Sequence, residues 1–216
     1  MPDRRSASGV IMTQTRSLMM AMAILLLVAL PAAGLAGNLH LVDSLDNGFA
    51  FFRSGKPDRD DMAELCERGI EEMCVLAGNA DDYEERYREA CPSLQVVYDH
   101  EQDADVPVTE EFLIWFDAWV EEARLTGKRI AVRCNCGCHR TGRLVAYYQM
   151  RHQNLTTGDA LAIMYARGKN WGLHRNIEPQ VRALRDYLEC RPCTQRRRYC
   201  VIEGDATENL PPGRHD

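Results

Sequence analysis

The chain has 216 residues, which is enough for one hydrophobic core of ordinary size. Its 32 acidic and 26 basic residues give a formal net charge of −6. Nucleic-acid partners are therefore not expected, because phosphate backbones are held by an excess of Lys and Arg. The chain also contains nine cysteines, and this odd number predicts disulfides with at least one thiol left free.

The first 36 residues have the pattern of an export signal. Three arginines precede an apolar run, Met19 to Leu30, which Pro31 and small residues follow. This pattern predicts cleavage before Gly37 and an exported domain, periplasmic or secreted. The alternative is an uncleaved anchor over residues 18–37, which is nearly long enough to span a membrane and would associate the protein with it.

Hydrophobic periodicity and turn residues predict the elements of the first half of one domain. Asp46-Asn47-Gly48 between apolar runs is a strong hairpin signal, and Gly69 is placed to end a helix in the left-handed conformation. In chain order, the predicted elements are a β-hairpin over 39–52, a helix over 58–68, a strand over 73–76, an exposed acidic helix over 81–89 and a strand over 96–98.

The second half contains the clearest helix. Phe112, Phe116 and Trp119 belong to an aromatic stripe at helical spacing, which is interpreted as core, and Gly127 ends it. The remaining predicted elements are a strand over 130–132 and helices over 144–150, 157–166 and 181–188. Strands that alternate with helices predict an α/β sandwich around a partly parallel sheet.

The C-terminal residues 190–216 differ from the domain predicted over residues 38–189. They carry Cys190, Cys193 and Cys200, three consecutive arginines and a Pro-Pro-Gly end. We interpret them as an extension, either pinned by a disulfide or mobile, rather than as a second domain.

The loop after the strand at 130–132 carries the chemistry. A strand, a glycine-containing loop and a helix present backbone N–H groups and a positive helix end to an anion. Arg140 can then hold two phosphate oxygens with its forked guanidinium. Cys134 lies beneath the same donors, which lower cysteine pKa values from ~8.5 to ~3.5–7.5. The predicted phosphate-binding residues are Asn135, Cys136, Gly137, Cys138, His139 and Arg140.

The spacing Cys134-x-x-Gly137-x-x-Arg140-Thr141-Gly142 resembles the signature loop of the protein tyrosine and dual-specificity phosphatase superfamily. The resemblance implies a three-layer fold, with a central mixed and mostly parallel sheet flanked by helices. It also implies hydrolysis of phosphate monoesters through a phosphocysteine intermediate, without a metal or cofactor. In these roles Cys134 attacks phosphorus, Arg140 stabilises the transferring phosphoryl group, and Thr141 supports the leaving thiolate.

The resemblance extends from Phe51 to about Tyr187, and the run from Phe52 to Pro57 is similar to the opening of atypical dual-specificity phosphatases. Expected substrates are a phosphorylated protein or a small phosphate ester, such as a phosphoinositide. Two positions depart from the family pattern. Arg133 stands where the family has His, and Cys138 stands where the subgroup often has a basic residue, which weakens any preference for highly charged substrates.

The general acid is expected to be an aspartate between the strand at 96–98 and the aromatic helix, because the leaving alkoxide needs a proton. Asp99, Asp103 and Asp105 all fit this position. Asp99 is favoured because it directly follows the strand and precedes His100, and Asp103 is the next choice.

Two other interpretations remain open. The first is a redox-sensitive phosphate-binding module with little turnover, in which Cys134 pairs with Cys136, Cys138 or Cys74. The second is a metal site, which is less favoured because it leaves the loop's Gly, Arg and Thr unexplained. Its candidate ligands are Cys134, Cys136, Cys138, His139, Cys190, Cys193 and Cys200.

Overall fold

The computed structural model describes residues 36–204. The predicted export signal or anchor lies outside this range apart from its last residues, as do residues 205–216. No helix within the described range has the length and apolar composition needed to cross a membrane.

A five-stranded sheet forms the centre of the fold. Its strands are β1 (His40–Ser44), β2 (Ala50–Ser54), β3 (Glu72–Val75), β4 (Gln95–Asp99) and β5 (Arg129–Arg133). The spatial order is β1-β2-β5-β3-β4. Strand β1 is antiparallel to β2, and the other three neighbouring pairs are parallel. This arrangement confirms the mixed, mostly parallel sheet and the predicted N-terminal hairpin.

Helices cover both faces of the sheet. They are α1 (Arg59–Glu67), α2 (Glu110–Thr126), α3 (Arg140–His152), α4 (Thr157–Ala166) and α5 (Ile177–Leu188). Side chains of β5 alternate between the faces, so Ile130 and Val132 join the core beneath α2 to α5 while Ala131 joins the core beneath α1. The three-layer architecture is therefore confirmed.

Local sequence signals explain where the helices begin and end. Asp58 caps α1 through a reciprocal capping box with Asp61, and Thr109 caps α2 through Phe112 N. Gly69 and Gly127 follow the two helices with φ of +67° and +76°, a conformation that favours glycine. The predicted helix ends at these two glycines are confirmed.

The predicted exposed helix over 81–89 is wrong. The chain instead forms a short π-helical turn at Asp81–Glu85 and a 3-10 turn at Arg88–Ala90. Glu84 is only 3% exposed and forms a buried two-point ion pair with Arg133 of β5. The acidic composition indicated that all carboxylates of this segment face solvent, but that of Glu84 faces the interior.

The C-terminal extension is pinned to the domain as far as residue 202. Cys193 and Cys200 form a disulfide, and Asp186 of α5 accepts hydrogen bonds from Thr194. Ile202 then pairs with the segment that leads into α2, because its N–H donates to Val108 O at 3.1 Å. Glu110 N donates in turn to the carbonyl of Ile202 at 2.9 Å, so the extension also holds the start of α2.

Replacing Glu84→Gln is expected to destabilise the domain by about 3 kcal/mol or more, because it leaves the Arg133 charge buried without a counter-charge. Urea unfolding of both proteins measures the difference. The neighbouring exposed pair of Glu85 and Arg88 supplies the control, because Glu85→Gln removes one negative charge at a solvent-exposed position. Equal midpoints for the two variants would contradict a structural role for the buried pair.

Candidate active site

The candidate nucleophile lies at the junction of β5 and α3. Cys134 directly follows the last residue of β5, and α3 begins six residues later at Arg140. The loop between them is bent so that Cys134 is only 1% exposed, while its neighbours Asn135 and Cys136 line an open cavity. The predicted order of strand, loop and helix is thus present.

The carbonyl oxygens of residues 135–137 are all bound from outside the loop. Lys56 N donates to the first at 3.0 Å, and Asn38 Nδ2 donates to the second and third at 3.2 and 3.0 Å. The buried guanidinium of Arg53 also donates to the third. Because N–H and C=O of a trans peptide point in opposite directions, the amides of residues 136–138 face the opposite side, towards the loop's interior. The amide of Cys138 donates to the sulfur of Cys136, so the loop offers the amides of residues 136 and 137 to an anion.

Gly137 is required by the close approach of this loop to β2. Its φ is +66°, and a Cβ atom at this position would lie 2.5 Å from Ser54 O and 2.6 Å from Ser54 C. Backbone atoms cannot give way as the end of a flexible side chain would, so only glycine fits.

Cys134 is stabilised as a thiolate. A hydrogen bond from the Cys136 thiol, the hydroxyl and amide of Thr141, and the charge of Arg140 lower the pKa of Cys134 well below its ordinary value, although burial opposes them. The Thr141 hydroxyl is buried and has no other hydrogen-bond partner among residues 36–204. It is therefore free to donate to the Cys134 sulfur.

Cys136 is the thiol that the fold places against Cys134. Its Sγ accepts from Cys138 N at 3.2 Å, which puts the sulfur on the amide side of the loop. The bond to Cys134 and burial raise the pKa of Cys136, so it remains a thiol and can donate. The Cys138 thiol instead donates to Cys136 O, and Cys74 is fully buried in β3.

Arg140 connects the loop to the neighbouring strands. Its Nη1 donates to Leu76 O at 2.8 Å and to Gln102 O at 3.0 Å, which fixes the guanidinium at the cavity wall. No hydrogen bond among residues 36–204 uses Nε or Nη2, so these two donors remain for an anion. This arrangement is suited to a two-point contact with phosphate.

The side chain of Arg133, at the position where the resembled family has His, is held by other side chains of the protein. Its guanidinium donates to both carboxylate oxygens of Glu84 and, at 2.7 Å, to Asn79 Oδ1. Asn79 Nδ2 donates in turn to Asn135 Oδ1 at 3.0 Å. This chain of polar contacts, buried at Arg133 and Glu84 and exposed at Asn135, thus holds the first residue after Cys134.

The cavity above Cys134 has a volume of about 740 Å³. Five of the predicted site residues line it: Cys134, Asn135, Cys136, His139 and Arg140. Three others are placed elsewhere, since Gly137 packs on β2, Cys138 turns towards a neighbouring groove, and Thr141 is fully buried beneath the loop.

The three candidate acids have different positions. The carboxylate of Asp99 accepts from Ala80 N at 3.1 Å, its other oxygen is buried, and it does not line the cavity. Asp103 does line the cavity, and its Oδ1 accepts from Asp105 N at 2.8 Å. The Asp105 carboxylate is bound by Asn176 Nδ2 at 2.9 Å. Of the three, the structure brings only Asp103 to the same cavity as Cys134.

The loop that carries Asp103 is held from below by buried polar side chains. Arg143 is 1% exposed and donates to Val106 O at 2.7 Å and to Gln102 Oε1 at 3.2 Å. Gln180 Nε2 donates to Ala104 O at 3.2 Å. The backbone on both sides of Asp103 is therefore tied to α3 and α5.

Sequence reasoning missed part of the cavity wall. Lys169, Asn170 and His174 come from the connection between α4 and α5, and Glu101 comes from the loop that carries Asp103. The ring of His174 lies 3.9 Å from that of His139, between centroids. No spacing in the sequence indicates these residues, because only the tertiary fold brings them to the loop.

The candidate metal ligands do not form one cluster. Cys193 and Cys200 are joined in a disulfide, which removes two thiolates from the proposed set. Within residues 36–204, no group of three His, Cys, Asp or Glu side chains is arranged to hold a metal ion.

Comparison with known proteins identifies the fold. No model of a protein family and no curated protein sequence matches the chain. Among solved structures, TpbA of P. aeruginosa matches with a TM-score of 0.54 and 19% identity, over 73% of this chain and 98% of TpbA. Tk-PTP in its active form matches with a TM-score of 0.51 and 17% identity, over 67% of this chain and 95% of Tk-PTP.

A third match is PTPMT1 in complex with PI(5)P, with a TM-score of 0.50 and 14% identity, over 70% of this chain and 94% of PTPMT1. The chain therefore has the fold of the tyrosine and dual-specificity phosphatases, as its loop predicted.

Replacing Thr141→Val is expected to raise the pKa of Cys134, because the thiolate loses a hydrogen-bond donor while side-chain volume is nearly kept. Alkylation of Cys134 by iodoacetamide, followed by mass spectrometry across a pH series, measures the midpoint. Thr126→Val, at the exposed end of α2, is the matched control and should leave the midpoint unchanged. An unchanged midpoint in the Thr141 variant would show that its hydroxyl does not stabilise the thiolate.

Proposed function

We propose that the chain is a cysteine-dependent phosphatase that hydrolyses phosphate monoesters through a phosphocysteine intermediate. The observation that carries the proposal is the loop of residues 134–140, in which a buried, acidic thiol lies beneath inward-facing amides and beside the free donors of Arg140. These groups match the charge and shape of a transferring phosphoryl group.

The proposed reaction has two steps. The Cys134 thiolate attacks phosphorus, and the bond to the leaving oxygen breaks as that oxygen takes a proton from an acid. Water then attacks the phosphocysteine and gives a proton to the conjugate base of that acid. The phosphorus–sulfur bond breaks and inorganic phosphate leaves, while Thr141 and the loop donors stabilise the departing thiolate. Arg140 stabilises the charge on the phosphoryl oxygens in both steps.

The structural neighbours support this reaction class. A variant of TpbA has been solved in complex with pTyr, with a TM-score of 0.52 to this chain, and PTPMT1 has been solved with PI(5)P. Both ligands carry a phosphate monoester group. We therefore propose a phosphorylated protein or a small phosphate ester as substrate.

Cys134→Ser is expected to abolish hydrolysis of p-nitrophenyl phosphate, because a serine hydroxyl stays protonated where the cysteine is a thiolate. The measurement is release of p-nitrophenol by the reduced protein. Cys91→Ser, which alters a buried thiol outside the cavity, is the control. Turnover that survives in the Cys134 variant contradicts the proposal, whereas phosphate binding without turnover in the reduced wild type supports the redox-sensitive binding module instead.

We propose Asp103 as the general acid, in place of the Asp99 that the sequence favours. Asp103 is exposed at the cavity wall, on a loop whose backbone Arg140 and Arg143 hold. Asp99 does not line that cavity, and its carboxylate accepts from Ala80 N, directly before the turn at Asp81–Glu85.

Asp103→Asn is expected to lower kcat for phenyl phosphate by about 10²–10⁴, and to affect p-nitrophenyl phosphate much less, because only the poorer leaving group needs a proton. Rates for both esters in Asp103→Asn, Asp99→Asn and Asp105→Asn give the comparison. The leaving-group dependence should occur in the Asp103 variant alone. If Asp99→Asn shows it instead, the acid returns to Asp99.

A further inference from the structure

A second groove adjoins the catalytic cavity on the other side of the nucleophile loop. It has a volume of about 510 Å³, and Asn135, Cys136 and Lys169 line both this groove and the cavity above Cys134. Its far wall is formed by His40 of β1 and by Lys56 and Arg167. A ligand held at Cys134 can therefore extend into this groove across the loop's outer edge.

The groove is basic in an otherwise acidic protein. Lys56, Arg167 and Lys169 line it, and no Asp or Glu does. None of these three cations forms a salt bridge with any carboxylate of residues 36–204. In a chain with six more acidic than basic residues, three unpaired cations around one concave surface create a local positive field.

Neighbouring groups hold two of these cations in place without neutralising them. Lys56 Nζ donates to the Tyr83 hydroxyl at 2.9 Å and lies 4.9 Å from the centre of that ring. Arg167 Nη1 lies 3.3 Å from a ring nitrogen of His40, and burial together with Arg167 lowers the pKa of this histidine. The backbone carbonyl of Arg167 accepts from Asn38 Nδ2, which also holds the nucleophile loop. The groove is thus built on the same support as the loop.

We propose that this groove binds a second anionic group of the substrate, a phosphate or a carboxylate, while the phosphate to be hydrolysed lies at Cys134. This inference rests on the proposed phosphatase function and specifies its substrate class. A substrate with two anionic groups gains contacts with Lys56, Arg167 and Lys169 that a simple aryl phosphate does not reach. Discrimination between singly and doubly anionic substrates should therefore come from binding in the groove, and kcat should be the same for both.

The test compares matched substrates in wild-type protein and in the double variant Lys56→Gln, Arg167→Gln, whose two positions line the groove but not the catalytic cavity. One arm uses a sugar bisphosphate against its monophosphate. The other uses a phosphotyrosine peptide flanked by Glu against the same peptide flanked by Gln. The double variant Arg197→Gln, Arg198→Gln removes equal charge from the exposed C-terminal segment and is the control.

In wild type, kcat/KM is expected to be about tenfold higher for the doubly anionic member of at least one pair, through a lower KM. The arm that shows the difference identifies whether the second anion comes from a small molecule or from a peptide. The groove variant should lose the difference, and the control should keep it. Equal kcat/KM within both wild-type pairs, or a difference that persists in the groove variant, overturns the inference.

Hydrolysis of p-nitrophenyl phosphate separates failure of this inference from failure of the proposed function. All three proteins should hydrolyse this ester at equal rates, because it has no second anion and because Lys56 and Arg167 support the loop through backbone atoms that the substitutions keep. Equal aryl phosphate turnover without discrimination rejects the groove alone. If no protein hydrolyses any ester, the phosphatase proposal fails. Calorimetric titration with the sugar bisphosphate then still tests the groove. Equal affinity of wild type and groove variant for this ligand would reject the groove as an anion site.

Discussion

The orientation of three peptide groups governs the chemistry of this protein. The carbonyls of residues 135–137 are bound from outside by Asn38, Arg53 and Lys56, so the amides that follow them must face inward. The constraint therefore presents a surface of N–H donors above Cys134, whose thiolate Cys136, Thr141 and Arg140 stabilise. The three donors come from the N-terminal hairpin region, far from the loop in sequence, and the parallel pairing of β2 with β5 brings them to the loop.

A second, buried interaction stabilises the same loop from the other side. Arg133 joins Glu84 and Asn79, and Asn79 reaches Asn135, so the residues that flank Cys134 are tied to the turn at Asp81–Glu85. A buried ion pair adds little stability by itself, but it strongly penalises any arrangement that separates its partners. The family's histidine at this position is thus replaced by an anchor whose charge is neutralised locally.

The sequence predicted those features whose physical causes are local. Glycines end α1 and α2 where expected, and the loop was recognisable because nucleophile, amides and guanidinium lie within seven consecutive residues. Features with distant causes were missed. Glu84 turns inward to pair with Arg133, which lies 49 residues further along the chain. The choice between Asp99 and Asp103 as general acid depends on how β4 packs against the turn at Asp81–Glu85. The cations of the groove come from positions 56, 167 and 169, so no single motif reveals them.

The disulfide between Cys193 and Cys200 gives this fold two opposite requirements for sulfur. The bridged segment leads to Ile202, which holds the start of α2 just beyond the loop that carries Asp103. Cys134, in contrast, has nucleophilic character only as a free thiolate. The bridged sulfurs therefore hold a segment near the loop that lines the cavity, while Cys134 of the same domain is a free thiol. Cys134 is 1% exposed and lies beneath its cavity, so its burial limits the access of an oxidant.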